Sequence, residues 1–207
     1  MPRPRSADRR NAVLSAATRV IAAQGPGAAT ATIAKEAGVS NGSLFLYFET
    51  KTTLVNELYV VLKAEMVAAA VEGLPLAAGV GEQLRHLWIG WARWATSYPE
   101  KRRTLAQLDV SEDITAASHR AVGAAFGAIA GLLERIRADG PLQDSPPEFV
   151  LTLTSAIAEA TIDAMLREPI DADSHCRAGF SAMWRVLAAP SLPIPDPINP
   201  TTERKST

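Results

Sequence analysis

Thr30-Ala-Thr-Ile-Ala-Lys-Glu-Ala-Gly-Val-Ser-Asn-Gly-Ser-Leu-Phe-Leu-Tyr-Phe-Glu-Thr-Lys51 is the stretch that decides how this chain folds. Thr30 is a good N-cap for a short helix in which Ile33, Ala34 and Ala37 face inward, and Gly38 ends that helix. Val39 then turns in and Ser40 caps a second short helix running from Asn41 through Phe48. Leu44 and Phe48, four apart, share one face of it, while Phe45 and Tyr47 point elsewhere. A short helix, a glycine turn and a second short helix make helix-turn-helix grammar. Each small residue has a reason. Ala34 lets the helices cross closely, Gly38 supplies a positive-φ turn, and Val39 plugs the gap between them. The second helix offers Asn41, Gly42, Ser43, Phe45 and Tyr47, small and hydrogen-bonding groups near an N-terminus that can enter a major groove.

Upstream, Val13, Leu14, Ala17, Val20 and Ile21 recur at helical spacing, which predicts a helix over about Asp8–Gln24, stopped by Gly25-Pro26-Gly27. Downstream, Thr50 caps a fourth helix that starts at Lys51 and ends near Gly73 and Pro75. Every later segment reads as helix: about Gly81–Ser97, Glu100–Leu108, Glu112–Ala138, Pro147–Arg167 and Asp173–Ala188, with Asp171, Asp173 and Ser174 expected to cap the last. The expected fold is therefore all-α, about nine helices, with a DNA-binding head over 1–51, a larger helical bundle over 52–189 and a Pro-rich tail over 190–207.

Composition agrees with an ordinary globular protein: 47% hydrophobic and 21% charged residues in 207. Residues 1–51 hold seven Lys and Arg against three Asp and Glu, a net of +4, and the overall charge of −1 leaves −5 for the remainder. A basic head on an acidic body suits a protein of which only the head meets a polyanion. Arg3, Arg5, Arg9 and Arg10 are candidates for an arm reaching a minor groove or phosphates, or for a solvated tail. The polar start, the single cysteine, Cys176, and the lack of a run of about 18 consecutive apolar residues point to a cytoplasmic protein without a membrane partner.

The string Ile33-Ala34 … Ala37-Gly38-Val39-Ser40-x-Gly42-Ser43-Leu44-Phe45-x-Tyr47-Phe48-x-x-Lys51-x-x-Leu54 resembles the signature of TetR-family regulators. The resemblance covers about a quarter of the chain. It implies that Thr30, Ser40 and Lys51 anchor phosphates, while Asn41, Gly42, Ser43, Phe45 and Tyr47 lie at the groove or the adjacent backbone. Two positions depart from the family: Phe45 stands where tyrosine is common and Leu46 where a polar or aromatic residue is, so one hydroxyl contact is missing and Leu46 has a thymine methyl or nothing to touch.

The body carries Trp88, Trp91 and Trp94 three apart on one helix, so they spread over about a third of its circumference. They suit an ordinary core, and one or more of them suits the wall of an apolar ligand pocket. By similarity of position to family pockets, Met66, Trp88, Trp91, Leu105, His119, Phe126 and Met165 are candidate ligand contacts for a small, mostly apolar effector. Apolar stripes on the last two helices, Phe149, Leu153, Ala156, Ile157, Ala160 and Ala164 on one and Phe180 and Trp184 on the other, are candidates for a homodimer interface. The three histidines are scattered, no nucleophile-base pair or phosphate-cradling loop appears, and neither a cofactor nor a metal is expected. The function expected is a ligand-responsive repressor released from a palindromic operator by a small molecule. The competing reading is an architectural or regulatory DNA-binding dimer with no effector.

Overall fold

The computed structural model describes residues 4–138 and 140–188, apart from the side chains of 4–6, 125 and 128. Arg3, the Arg5 side chain and the expected tail from residue 190 lie outside what is described. Among the described residues nine α-helices run in order: α1 Pro4–Gln24, α2 Thr30–Glu36, α3 Asn41–Leu44, α4 Lys51–Val71, α5 Val80–Ser97, α6 Pro99–Asp109, α7 Ala116–Arg137, α8 Pro147–Arg167 and α9 Ala172–Leu187. A single 3-10 turn, Pro169–Asp171, precedes α9, and no strand occurs among the described residues. The all-α expectation holds, and α1 and α7 differ most from their expected bounds, each by about one turn. Pro99 both stops α5 and opens α6, because its fixed φ suits a first helical position and its missing N–H costs nothing there. Gly25, Gly38 and Gly73 have φ of 85°, 68° and 69°, and the first and third close α1 and α4.

The chain divides by packing into two compact units, one comprising residues up to Ala69 together with Ser97–Gly127, the other Ala70–Thr96 together with the residues from Ala128 on. The division does not fall at residue 51, because α1 of the expected head packs on α6 as well as on α2. The buried Thr104 hydroxyl donates to the Thr18 carbonyl at 2.8 Å, and the Thr18 hydroxyl donates to the Leu14 carbonyl at 3.0 Å, so the α1–α6 contact has no unmet hydroxyl. Val13, Ile21, Ile33, Leu44, Phe48, Leu54 and Leu58 are fully buried in this unit.

The second unit is built on a tryptophan-rich core. Trp88, Phe180 and Trp184 form a chain of rings with centroids 6.3 and 6.1 Å apart, and Leu84, Leu132, Ile136, Val150 and Leu187 close around them. Within this unit α8 packs on α9. A Cβ added at Gly179 would lie 2.1 Å from the Thr161 hydroxyl oxygen, so glycine is what permits that crossing.

Candidate nucleic-acid interface

The α2–α3 segment is held from inside. The Val39 N–H donates to the Ala34 carbonyl at 3.0 Å across the Gly38 turn, and Ile33 and Ala34 are buried beneath it. Ser40 caps α3, its Oγ accepting from the Ser43 N–H at 3.0 Å and lying 2.8 Å from the Ser43 hydroxyl. Thr50 likewise caps α4, accepting from the Thr53 N–H at 3.0 Å.

Two local expectations need correction. Thr30 does not cap α2: Ala29 occupies the cap position without a side-chain bond, and Thr30 is already the first helical residue, half-buried. The second helix of the motif does not run as α-helix to Phe48. It is regular only over Asn41–Leu44, and then tightens, with the Leu46 and Tyr47 N–H groups bonding to the Ser43 and Leu44 carbonyls three residues back. The tightening still leaves Leu44 and Phe48 fully buried and turns Phe45 and Leu46 outward, 40% and 83% exposed. Ser40, Asn41 and Gly42 are exposed too, Ser43, Tyr47 and Lys51 half-buried. Seven of the eight residues expected to meet DNA therefore sit on one continuous segment that ends at Lys51; Thr30 alone comes from α2.

The arginine arm also changes. Arg10 lies on α1, ion-paired with Glu57 and with its guanidinium 5.1 Å from the centre of the Phe48 ring. Arg19 pairs with Glu36 at 2.8 Å. Both cations serve the packing of the head itself. Among the described residues Arg9, Lys35 and Lys51 remain as cations of the first 51 residues outside any ion pair, with Arg9 and Lys35 exposed.

The seven candidate ligand contacts belong to different units. Met66, Leu105, His119 and Phe126 are in the first. There His119 stands edge-on to Tyr59, with centroids 5.5 Å apart and its Nδ1 3.4 Å from the phenol oxygen. The Lys63 ammonium lies 5.5 Å from the Tyr59 ring centre and 6.0 Å from that of Phe126. Asp109 joins them, accepting from the Tyr59 hydroxyl at 2.9 Å and from Lys63 at 2.8 Å. Burial and the adjacent carboxylate push the Tyr59 phenol well above its ordinary value of 10. Tyr59, Lys63 and Asp109 had no signal in the sequence, since their partners are about 50 residues away along the chain. A cleft of ≈ 520 Å³ opens elsewhere in the same unit, lined by Leu14, Thr18, Leu58, Leu62, Tyr98 and Lys101 among others, and by none of the seven.

Trp88, Trp91 and Met165 are in the second unit. Trp88 is buried, 5.7 Å from the half-buried Trp91, and its indole N–H donates to the Cys176 carbonyl at 3.0 Å. The buried Trp184 N–H finds no acceptor among the described residues. Of the dimer candidates, Phe180 and Trp184 are already covered by their own chain at 5% and 3% exposure. Phe149, Ala156 and Ala160 are exposed, and Leu153, Ile157 and Ala164 half-buried. Only 28% of the most apolar 18-residue window of α8 is buried, and the helix is long and apolar enough to cross a membrane by length and composition. Counting consecutive apolar residues missed this, because Glu148, Glu159, Asp163 and Arg167 interrupt the helix without spoiling its mean.

Residues 13–58 match the model of the bacterial regulatory proteins of the tetR family. The whole chain resembles a structure assigned to tetR-family transcription regulators from Shewanella sp. PV-4, 26% identical, covering 87% of this chain and 98% of that one with a TM-score of 0.78. Residues 13–58 of this chain are thus a tetR-family N-terminal domain, and the fold is that of TetR-family transcription regulators. The fold recurs in a TetR-family regulator from Marinobacter aquaeolei VT8 at 21% identity, with 90% and 99% of the two chains covered and a TM-score of 0.75. It recurs also in LfrR from Mycobacterium smegmatis, solved in complex with proflavine, at 20% identity, 89% and 99% coverage and a TM-score of 0.63. The matched residues take in α2 and α3.

Proposed function

We propose that this chain is a cytoplasmic repressor that binds a palindromic operator as a homodimer and leaves it when a small, mostly apolar molecule binds outside the head. The observation that carries the reading is the segment Ser40–Phe48, whose buried Leu44 and Phe48 fix it while Ser40, Asn41, Gly42, Phe45 and Leu46 face outward. Lys51, at the start of α4, supplies a phosphate contact with Ser40 and Thr30, and the residues between read base edges. One head covers too little DNA, so two must be joined at a spacing near about 34–36 Å. The apolar outer face of α8, with Phe149, Leu153, Ala156, Ile157 and Ala160, is the surface for that pairing, its alanines letting a partner helix approach closely. Effector response is supported by the aromatic groups around Lys63 and by the bound proflavine of LfrR, a relative in fold.

The test begins with a duplex selected from a randomised pool and its affinity across a salt series. Lys51→Ala is expected to weaken all duplexes nearly alike and to lower the salt slope by about 1 per protomer. Ala160→Glu, a change on an exposed position, is expected to give a folded monomer whose affinity for the palindrome falls by at least about 100-fold, since one head alone retains little specific binding. A monomeric parent that protects the palindrome, or a Lys51→Ala protein matching the parent at every salt concentration, overturns the docking scheme. A parent whose operator complex survives a broad screen of apolar effectors favours the effector-free dimer instead.

A further inference from the structure

Asn56 lies on α4, between the fully buried Val55 and the half-buried Glu57, one and a half turns after Lys51. Asparagine is a poor residue for a helix interior, where its amide competes with the backbone. Here the amide is used in full. Its Nδ2 donates to the Thr52 carbonyl and to the Asp113 carbonyl, both at 2.8 Å. Its Oδ1 accepts from the Thr115 N–H at 2.8 Å, from the Thr115 hydroxyl at 3.0 Å and from the Ser118 hydroxyl at 2.7 Å. The orientation is unambiguous, because carbonyls only accept and a backbone N–H only donates, so the flipped amide would face two carbonyls with its own oxygen. The Thr115 hydroxyl, 3.2 Å from that of Ser118, also accepts from the Ser118 N–H at 3.3 Å, so the start of α7 is organised by the same three side chains.

Three turns of chain thus meet at one side chain: α4, which opens with Lys51, the Ser111–Thr115 turn, and the first turn of α7. One of these bonds, from Ser118, reaches α7 itself, and two more come from Thr115, the residue before it. Tyr59, three residues further along α4, repeats the link more weakly through Asp109 and His119. We infer that Asn56 is a positioning residue for DNA binding, a clasp that fixes α4, and with it Lys51 and the head, to the start of α7, so that the order of each depends on the other. The inference rests on the DNA-binding reading above. Linkage makes the dependence reciprocal: if the clasp helps α4 hold DNA, bound DNA must stiffen the start of α7.

Hydrogen exchange at the amides of His119 to Val122, with and without the selected duplex, reads that reciprocity directly. In the parent the duplex is expected to slow exchange there. In Asn56→Ala the duplex should bind about three- to tenfold more weakly, the range given by one or two net hydrogen bonds, and the slowing at 119–122 should disappear. Thr115→Val combined with Ser118→Ala, which leaves α4 untouched, is expected to reproduce both effects, and adding Asn56→Ala to it should change little more. This second protein also decides the matter if Asn56→Ala fails to fold. A purely structural asparagine would lower the melting temperature while leaving the DNA-induced slowing in place, and that result overturns the inference, as does a parent whose 119–122 amides ignore bound DNA. A parent that binds no duplex at all brings down the DNA-binding reading first, and is recognised as such before any variant is made.

Discussion

The helix-turn-helix of the first compact unit and the aromatic core of the second place their large apolar side chains in opposite ways. The second buries Trp88, Phe180 and Trp184 in a chain of rings, whereas the first leaves Phe45 and Leu46 outside, over a small floor of Ile33, Leu44 and Phe48. Burying a large aromatic ring contributes on the order of 2–3 kcal/mol, so the first arrangement forgoes stabilisation that the second collects. A side chain left in water at that cost is available to a partner. In the aromatic core identity answers to packing; on the outer face of α3 and the turn after it, identity answers to what binds.

Glycine substitutions give the largest contrast. Gly179→Ala drives a methyl into Thr161, whose hydroxyl is fixed to the Ile157 carbonyl at 2.8 Å, so α8 and α9 must part, and thermal unfolding is expected to show a loss of about 1–3 kcal/mol. Gly42→Ala meets only the Ser40 hydroxyl, at 4.0 Å, and is expected to fold as well as the parent or slightly better while binding the selected duplex about tenfold more weakly. Equal stability for both variants would erase the distinction between a packing face and a reading face.

A smaller effect comes from the cap. Ser40→Ala removes the acceptor of the Ser43 N–H and is expected to lower stability by about 1 kcal/mol, as well as weakening DNA binding. Ser43→Ala keeps the cap and should affect binding alone. Melting and binding measured on the same two preparations would separate the roles, and a Ser43→Ala protein as destabilised as Ser40→Ala would show that they cannot be separated.

The smallest effect is in pH. Tyr59 has its phenol raised above 10 in the folded protein by burial and by Asp109, whereas the unfolded chain ionises near 10. The folded form therefore holds a proton that the unfolded form loses, so this contribution to stability is complete below pH 10 and is lost as the pH rises beyond it. Melting temperatures at pH 9, 10 and 11 are expected to fall more steeply for the parent than for Tyr59→Phe; parallel curves would mean that the phenol titrates as it does in the unfolded chain.

Much of the head was legible because its rules are local. Gly38 announced a positive φ, Ser40 and Thr50 announced caps, and the spacing of Leu44 and Phe48 announced their shared face. Thr30 misled because Ala29, which precedes it, has the extended backbone of a cap without a side chain able to act as one. The shortness of α3 was not legible either, since Phe45, Leu46 and Tyr47 tolerate α and 3-10 geometry alike. Contacts distant in sequence left no trace: nothing around Asn56 names Thr115, and nothing around Arg10 names Glu57 or Phe48. The apolar stripe of α9 was visible, but whether Trp184 met its own chain or a second copy depended on four other helices from distant parts of the sequence.

The engagement of Arg10 with Glu57 and Phe48, and of Arg19 with Glu36, bears on how such a head would find its target. Cations committed within the fold displace few counterions from a random duplex, so its residence on non-cognate sequence is brief. Such a protein searches by frequent dissociation and rebinding rather than by long one-dimensional sliding, and it exchanges readily between distant stretches of chromosome. The same two arginines that tighten the head would then keep it from being titrated away by the vast excess of irrelevant DNA.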